Sequence, residues 1–101
     1  MNLTDLQNKR VLVLGAGKSG IASCRFLVGK AKEVFLTESK NLPEILKEEI
    51  VRLQEKGLKF EEGNNSEEFL DSADLVIVSP GISPGSEIVK KICAKNIPTI
   101  S

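Results

Sequence analysis

Val11-Leu12-Val13-Leu14-Gly15-Ala16-Gly17-Lys18-Ser19-Gly20 is the stretch that decides the fold. Four consecutive apolar residues fit a strand covered on both faces, as in a parallel sheet. The run stops at Gly15, and residues 15–20 turn the chain into a segment with Ile21, Cys24, Leu27 and Val28 at helical spacing. Gly15-x-Gly17-x-x-Gly20 therefore lies between a buried strand and a helix. There Gly15 permits a tight turn, Gly17 leaves room for a diphosphate, and Gly20 lets helix and strand approach. The helix start offers N–H donors and a positive dipole end to phosphates. Lys18 adds a positive charge and Ser19 a hydroxyl donor. The competing reading is a glycine turn that only permits packing.

Working outward, residues 34–37 read as a second strand ending at Glu38. Asn41 is the expected cap of the next helix, with Glu44 completing a capping box and Pro43 in the first turn. Its buried stripe is Leu42, Ile45, Leu46, Ile50 and Leu53, and Gly57 ends it. Residues 58–61 form a short third strand, and residues 64–72 a polar loop with one or two helical turns carrying Phe69 and Leu70. Residues 75–78 are the fourth strand. Ser83 or Ser86 caps a last helix with apolar positions Ile88, Val89, Ile92 and Cys93. Residues 97–100 supply a final strand whose Pro98 suits an edge. Strands alternating with helices predict an α/β fold: a doubly wound, Rossmann-like domain. Right-handed crossovers order its five-stranded parallel sheet 3-2-1-4-5, with helices on both faces.

Composition narrows the function. The 101 residues carry 14 basic and 14 acidic side chains and 41% hydrophobic residues, enough for one compact domain over residues 1–101. Balanced charge argues against a nucleic-acid module. No His, Trp or Tyr is present, so no imidazole serves as general base or zinc ligand, and no metal site is expected. The first ten residues lack the apolar run of a secretory signal, and no stretch approaches the roughly 18–20 apolar residues of a membrane span. Cys24 and Cys93 read as ordinary buried thiols of a reducing compartment. The expected location is the cytoplasm. Residues 96–101 read as a strand with almost nothing after it, the mark of a break within a longer chain.

Three places gather candidate ligand groups. The first is Gly15, Gly17, Lys18, Ser19 and Gly20. The second is Glu38 with Ser39 and Lys40, where a carboxylate after strand two can accept ribose hydroxyls. Its plain alternative is a solvated acid at a strand end. The third is Ser79-Pro80-Gly81-Ile82, at the end of strand four, facing the glycine turn where the strand order reverses. No acid–base pair with catalytic spacing emerges, and Ser79 sits in no nucleophile elbow. Asp71 and Asp74, at the other end of the sheet, read as turn and cap residues. Lys90, Lys91 and Lys95 read as the solvated, basic end of a helix. No GxxxxGK[ST] triphosphate loop occurs.

With these residues placed, the chain resembles the N-terminal domain of the UDP-N-acetylmuramoyl-L-alanine:D-glutamate ligases, a branch of the Mur ligase family. The resemblance runs from about Lys9 to Ser101. It rests on residues 11–20, on Leu36-Thr37-Glu38-Ser39-Lys40, on residues 73–82 with Val78-Ser79-Pro80-Gly81-Ile82, and on Asn96-Ile97-Pro98-Thr99-Ile100. It implies that this domain binds the uridine diphosphate of UDP-N-acetylmuramoyl-L-alanine. Lys18 to Gly20 would then hold the diphosphate, Glu38, Ser39 and Lys40 lie near the uridine, and residues 79–82 border the nucleotide and first sugar. The family usually has aspartate where this chain has Glu38. It also implies a central domain using ATP and magnesium and a C-terminal domain for the amino acid, so these 101 residues alone would hold no cofactor and catalyse nothing. An NAD(P)-binding Rossmann domain of an oxidoreductase or regulator is the main alternative. A homodimeric structural module is the third.

Overall fold

The computed structural model describes residues 3–100; Met1, Asn2 and Ser101, which the expected domain includes, lie outside the described residues. A 3-10 helix (Leu3–Asn8) precedes β1 (Arg10–Leu14), α1 (Lys18–Leu27), β2 (Glu33–Glu38), α2 (Glu44–Glu55) and β3 (Lys59–Glu62). Then follow α3 (Glu67–Ser72), β4 (Leu75–Val78), α4 (Glu87–Ala94) and β5 (Thr99–Ile100). The five strands pair in parallel in the order β3-β2-β1-β4-β5, the doubly wound order expected from the sequence.

β1 is the centre of the sheet. Val11 sits opposite Val34 on one side and Leu75 on the other, and Leu14 opposite Thr37 and Val78. Residues 11–14 are at most 1% exposed, which is why the run is apolar without alternation. Val11 and Val13 share one core with Ile21, Cys24 and Leu27 of α1 and Ile50 and Leu53 of α2. Leu12 and Leu14 share the other with Leu70 of α3 and Ile92 of α4. Each such side chain contributes about 1.5–3 kcal/mol relative to exposure. At the start of the sheet Arg10 and Asp74 exchange two bonds: Asp74 N–H donates to Arg10 O and Arg10 N–H to Asp74 Oδ2, each at 2.8 Å. Asp74 is thus a tie between strand starts.

Two helix ends explain where strands begin. Past Glu55, Gly57 takes φ +110°, its N–H donates to Gln54 O, and Leu58 N–H donates to Leu53 O. That double closure is a Schellman motif. It engages Leu58, so β3 begins at Lys59, one residue later than expected. Past Ala94, Asn96 takes φ +56° and its N–H donates to Cys93 O, while Ile97 N–H donates to Ile92 O. The same motif holds Ile97, and β5 shrinks to two residues. Asn is among the few non-glycine residues that tolerate this conformation.

Three further expectations need correction. Pro43, not Asn41, caps α2, at φ −62° and ψ 150° with no side-chain bond. Proline excludes helical conformation from the residue before it, and the Leu42 N–H instead donates to Glu62 Oε2 at 2.9 Å. Ile45 is 76% exposed, because the helix faces the core through Leu46, Ile50 and Leu53 and Ile45 turns away from that face. Cys93 is exposed while Cys24 is buried; α4 lies over the thin β4–β5 edge and buries only Ile92 fully. Ser86 is the N-cap of α4 by backbone, but its hydroxyl makes no capping bond. Among the described residues no helix is long and apolar enough to cross a membrane.

Candidate functional site

The carboxyl ends of β1, β2 and β4 open onto one crevice of about 400 Å³. Its lining is Gly15, Gly17, Lys18, Ser19 and Gly20 from the glycine turn, Glu38, Ser39 and Lys40 from the end of β2, and Ser79, Pro80, Gly81 and Ile82 from the end of β4. The structure therefore brings together all twelve residues singled out in the sequence. The topology accounts for it: β2 and β4 flank β1 on opposite sides, and the crossovers leave in opposite directions at this point.

The glycines differ in what they do. Gly15 takes φ +94°, and a Cβ there would stand 3.1 Å from Ser79 Cβ. A Cβ on Gly20 would stand 1.8 Å from Gly15 O; helix α1 can start against the end of β1 only without that atom. At Gly17 an added Cβ meets nothing within 4 Å, and φ is an ordinary −74°. Its missing side chain therefore serves neither packing nor backbone conformation. It leaves the crevice open above the helix start.

Hydrogen bonds fix the walls. Gly15 N–H donates to Thr37 O at 2.9 Å and Ser79 N–H to Leu14 O at 3.1 Å, extending both ladders of β1 by one step. The Ser79 hydroxyl donates to Gly15 O at 3.1 Å, and Ile82 N–H closes a turn onto Ser79 O at 3.0 Å. Ser79 is thus a link between the two rims. The first bond of α1 runs from Ile21 N–H to Gly17 O, and Gly17 provides no side-chain cap. The N–H groups of Lys18, Ser19 and Gly20 are therefore left for an acceptor in the crevice. Lys18 and Lys40 are exposed at its edges. Glu38 is half-buried; its Oε1 accepts the Ala16 N–H at 2.9 Å and its Oε2 the Lys40 N–H at 3.0 Å.

A second crevice of about 280 Å³ adjoins the first, sharing Gly15, Glu38, Ser39, Gly81 and Ile82. Thr37, Asn65, Ser83, Ser86 and Glu87 supply its further polar groups, and sequence reasoning singled out none of them as ligand groups. Thr37 is 2% exposed, and its hydroxyl donates to Glu61 Oε2 at 2.7 Å. The same oxygen accepts Ser66 N–H at 2.8 Å. Ser86 Oγ is buried without a hydrogen-bond partner. A threonine in an apolar strand was the available signal.

The described residues contain no group of three or more His, Cys, Asp or Glu able to hold a metal ion. Asp71 pairs with Lys95 at 2.7 Å, and Lys91 and Lys95 pair with Glu67 at 3.0 and 3.5 Å, all away from the crevice lining. Burial pushes the Cys24 thiol up to about 12, which leaves it unreactive.

A family model described as Mur ligase MurD-like, N-terminal domain, matches residues 9–101. The UDP-N-acetylmuramoylalanine--D-glutamate ligase of Pelodictyon phaeoclathratiforme is 43% identical over 97 residues, covering 96% of this chain and 20% of that protein. The ligase of the same name from Caldanaerobacter subterraneus subsp. tengcongensis is 47% identical over 88 residues, covering 86% and 19%. The chain thus spans about a fifth of the length of the curated relatives it matches. Among solved structures, the UDP-N-acetylmuramate:L-alanyl-gamma-D-glutamyl-meso-diaminopimelate ligase from Neisseria meningitides superposes with a TM-score of 0.64 at 22% identity, covering 92% of this chain and 28% of that one. SirC, precorrin-2 dehydrogenase, gives a TM-score of 0.63 at 16% identity, covering 100% and 48%. At these identities the structural likenesses speak for the fold alone.

Proposed function

The chain belongs to the family of Mur ligase MurD-like N-terminal domains, and from that premise we propose that it binds the uridine diphosphate part of UDP-N-acetylmuramoyl-L-alanine. In this reading it is the first domain of a longer cytoplasmic ligase that adds D-glutamate in peptidoglycan synthesis. The observation that carries the proposal is the single crevice where the open turn at Gly17 and the unpaired N–H groups of Lys18, Ser19 and Gly20 face residues 79–82. A diphosphate suits those donors, Lys18 and Lys40 supply countercharge, and Ile82 gives an apolar wall.

The parent reaction moves the γ-phosphate of ATP to the alanyl carboxylate; the amine of D-glutamate attacks the acyl phosphate, phosphate leaves and an amide forms. ATP and magnesium belong to a central domain, and D-glutamate to a C-terminal one. This chain's share is remote binding energy that orients the reacting carboxylate.

Parallel titrations followed by amide chemical shifts test the reading. UDP or UDP-N-acetylmuramoyl-L-alanine should move residues 17–20, 38–40 and 79–82 more than NAD or NADP at matched concentration. Saturable shifts there with NAD, and none with either uridine ligand, would replace it with a nicotinamide-dinucleotide function.

A further inference from the structure

The last side chain of β2 is turned back onto the protein. Glu38 places one carboxylate oxygen 2.9 Å from the Ala16 nitrogen and the other 3.0 Å from that of Lys40. A carboxylate accepts only, and bonds from N–H groups to it are of the strong, charge-assisted kind. The two amides it holds belong to neighbouring segments at the crevice, the glycine turn and the loop after β2. Backbone pairing between β1 and β2 extends as far as the Gly15 N–H on Thr37 O. One residue further, the tie from the turn to the end of β2 is the Glu38 side chain.

We propose that Glu38 is a positioning residue, which sets the gap between the glycine turn and the loop at residues 39–40, rather than a direct ligand of ribose hydroxyls. The inference rests on reading the crevice as a nucleoside-diphosphate site and assigns Glu38 a different part in it. The carboxylate takes the Ala16 amide and leaves those of Lys18, Ser19 and Gly20 for phosphate. Two amide dipoles compensate its charge, which lessens the repulsion an anion would meet beside it. Pinning the Lys40 nitrogen also fixes the backbone from which a second cation reaches the rim.

The test crosses one variant with two ligands and one measurement without ligand. Glu38→Gln keeps the shape but offers a single acceptor oxygen, so at least one amide loses its partner. Amide hydrogen exchange of Ala16, Lys40 or both should quicken about tenfold in the unliganded protein, the equivalent of one lost hydrogen bond. Affinity should fall by a similar factor for UDP and for inorganic pyrophosphate, which has no ribose. Unchanged exchange with a loss confined to UDP would overturn the proposal and make Glu38 a ribose ligand. If the wild-type chain binds neither diphosphate, the proposed function fails while exchange still decides Glu38: quickening at Ala16 or Lys40 upholds the clamp and unchanged protection overturns it. Should the glutamine variant not fold, Glu38→Asp keeps the charge with a shorter reach, and the same two amides decide in the same way.

Discussion

Two strand–turn–helix units face each other across the crevice, and they solve the same connection differently. From β1 the chain enters α1 after three residues; from β4 it crosses eight before α4 begins. The first unit is short because Gly20, with no Cβ, lets the helix start pack against Gly15 O. In the second, added Cβ atoms on Gly81 and Gly85 would meet nothing closer than 4.0 Å. Beneath them, β1 is shielded on both faces and both edges, whereas β4 has the two-residue β5 as its outer neighbour. In the proposed site, a turn that presents backbone N–H groups to an anion gains from having no alternative path. A wall that meets a ligand with side chains has no such need.

The largest test of this contrast is Gly20→Ala, which forces α1 away from β1 and should cost about 3 kcal/mol or more in urea unfolding. Gly85→Ala should change stability by no more than about 1 kcal/mol. Equal losses at the two positions would dissolve the comparison. Next comes Gly17→Val, expected to leave far-UV circular dichroism and stability nearly unchanged while weakening UDP binding more than about tenfold, or about 1.4 kcal/mol. Retained affinity in a folded variant would remove the diphosphate from the turn. Ser79→Ala removes the hydroxyl bond that joins the units and should cost about 1 kcal/mol, measured by the same denaturation.

Each helix also carries one cysteine. A thiol reagent should modify Cys93 alone in the native chain and both cysteines in denaturant, because the Cys24 thiol is buried and pushed up to about 12. Two fast-reacting native thiols would mean that α1 opens readily enough to expose Cys24.

The smallest effect is the pH dependence of the α3–α4 contact. Hydrogen bonding from Lys91 holds the Glu67 carboxyl below its ordinary 4.5. Bonding to Asp71 raises Lys95 above 10.5. The glutamate contribution is present above pH 4.5 and is lost as pH falls through the depressed folded value, since the unfolded chain protonates first. The lysine contribution is present below pH 10.5 and disappears as pH rises through the elevated one. These groups lie in solvent, so 0.5 M salt should flatten both limbs; limbs unmoved by salt would point to a buried source.

The same contrast governs what was legible in the sequence. β1, the glycine turn and α1 announce themselves because strand burial, turn and helical spacing lie within 18 consecutive residues, 11–28. The residues that meet in the crevice were legible for a related reason: a doubly wound topology brings the ends of strands one, two and four together whatever the loops do. Cys93 and Ile45 were misplaced because helical spacing says which residues share a face, not how wide a neighbour covers it. The start of α2 was misplaced because Pro43 keeps Leu42 out of helical conformation, and the Leu42 amide goes instead to Glu62, twenty residues away. Glu38 was visible as an acid in the right place, but its partner at Ala16 is a contact that the fold alone creates.

The central place of β1 has a consequence during synthesis. Its pairing with β4, framed by the Arg10–Asp74 tie, joins residues 64 apart in the chain. At ribosomal speeds of about 5–20 residues per second, the central strand waits roughly 3–13 s for its second neighbour. Until then residues 11–14 keep one edge open and the Leu12–Leu14 face without α4, with β2 and α1 already available on the other edge and face. A nascent chain stalled before Leu75 would carry that open edge as a sticky strand, and it is there that a chaperone would be most needed.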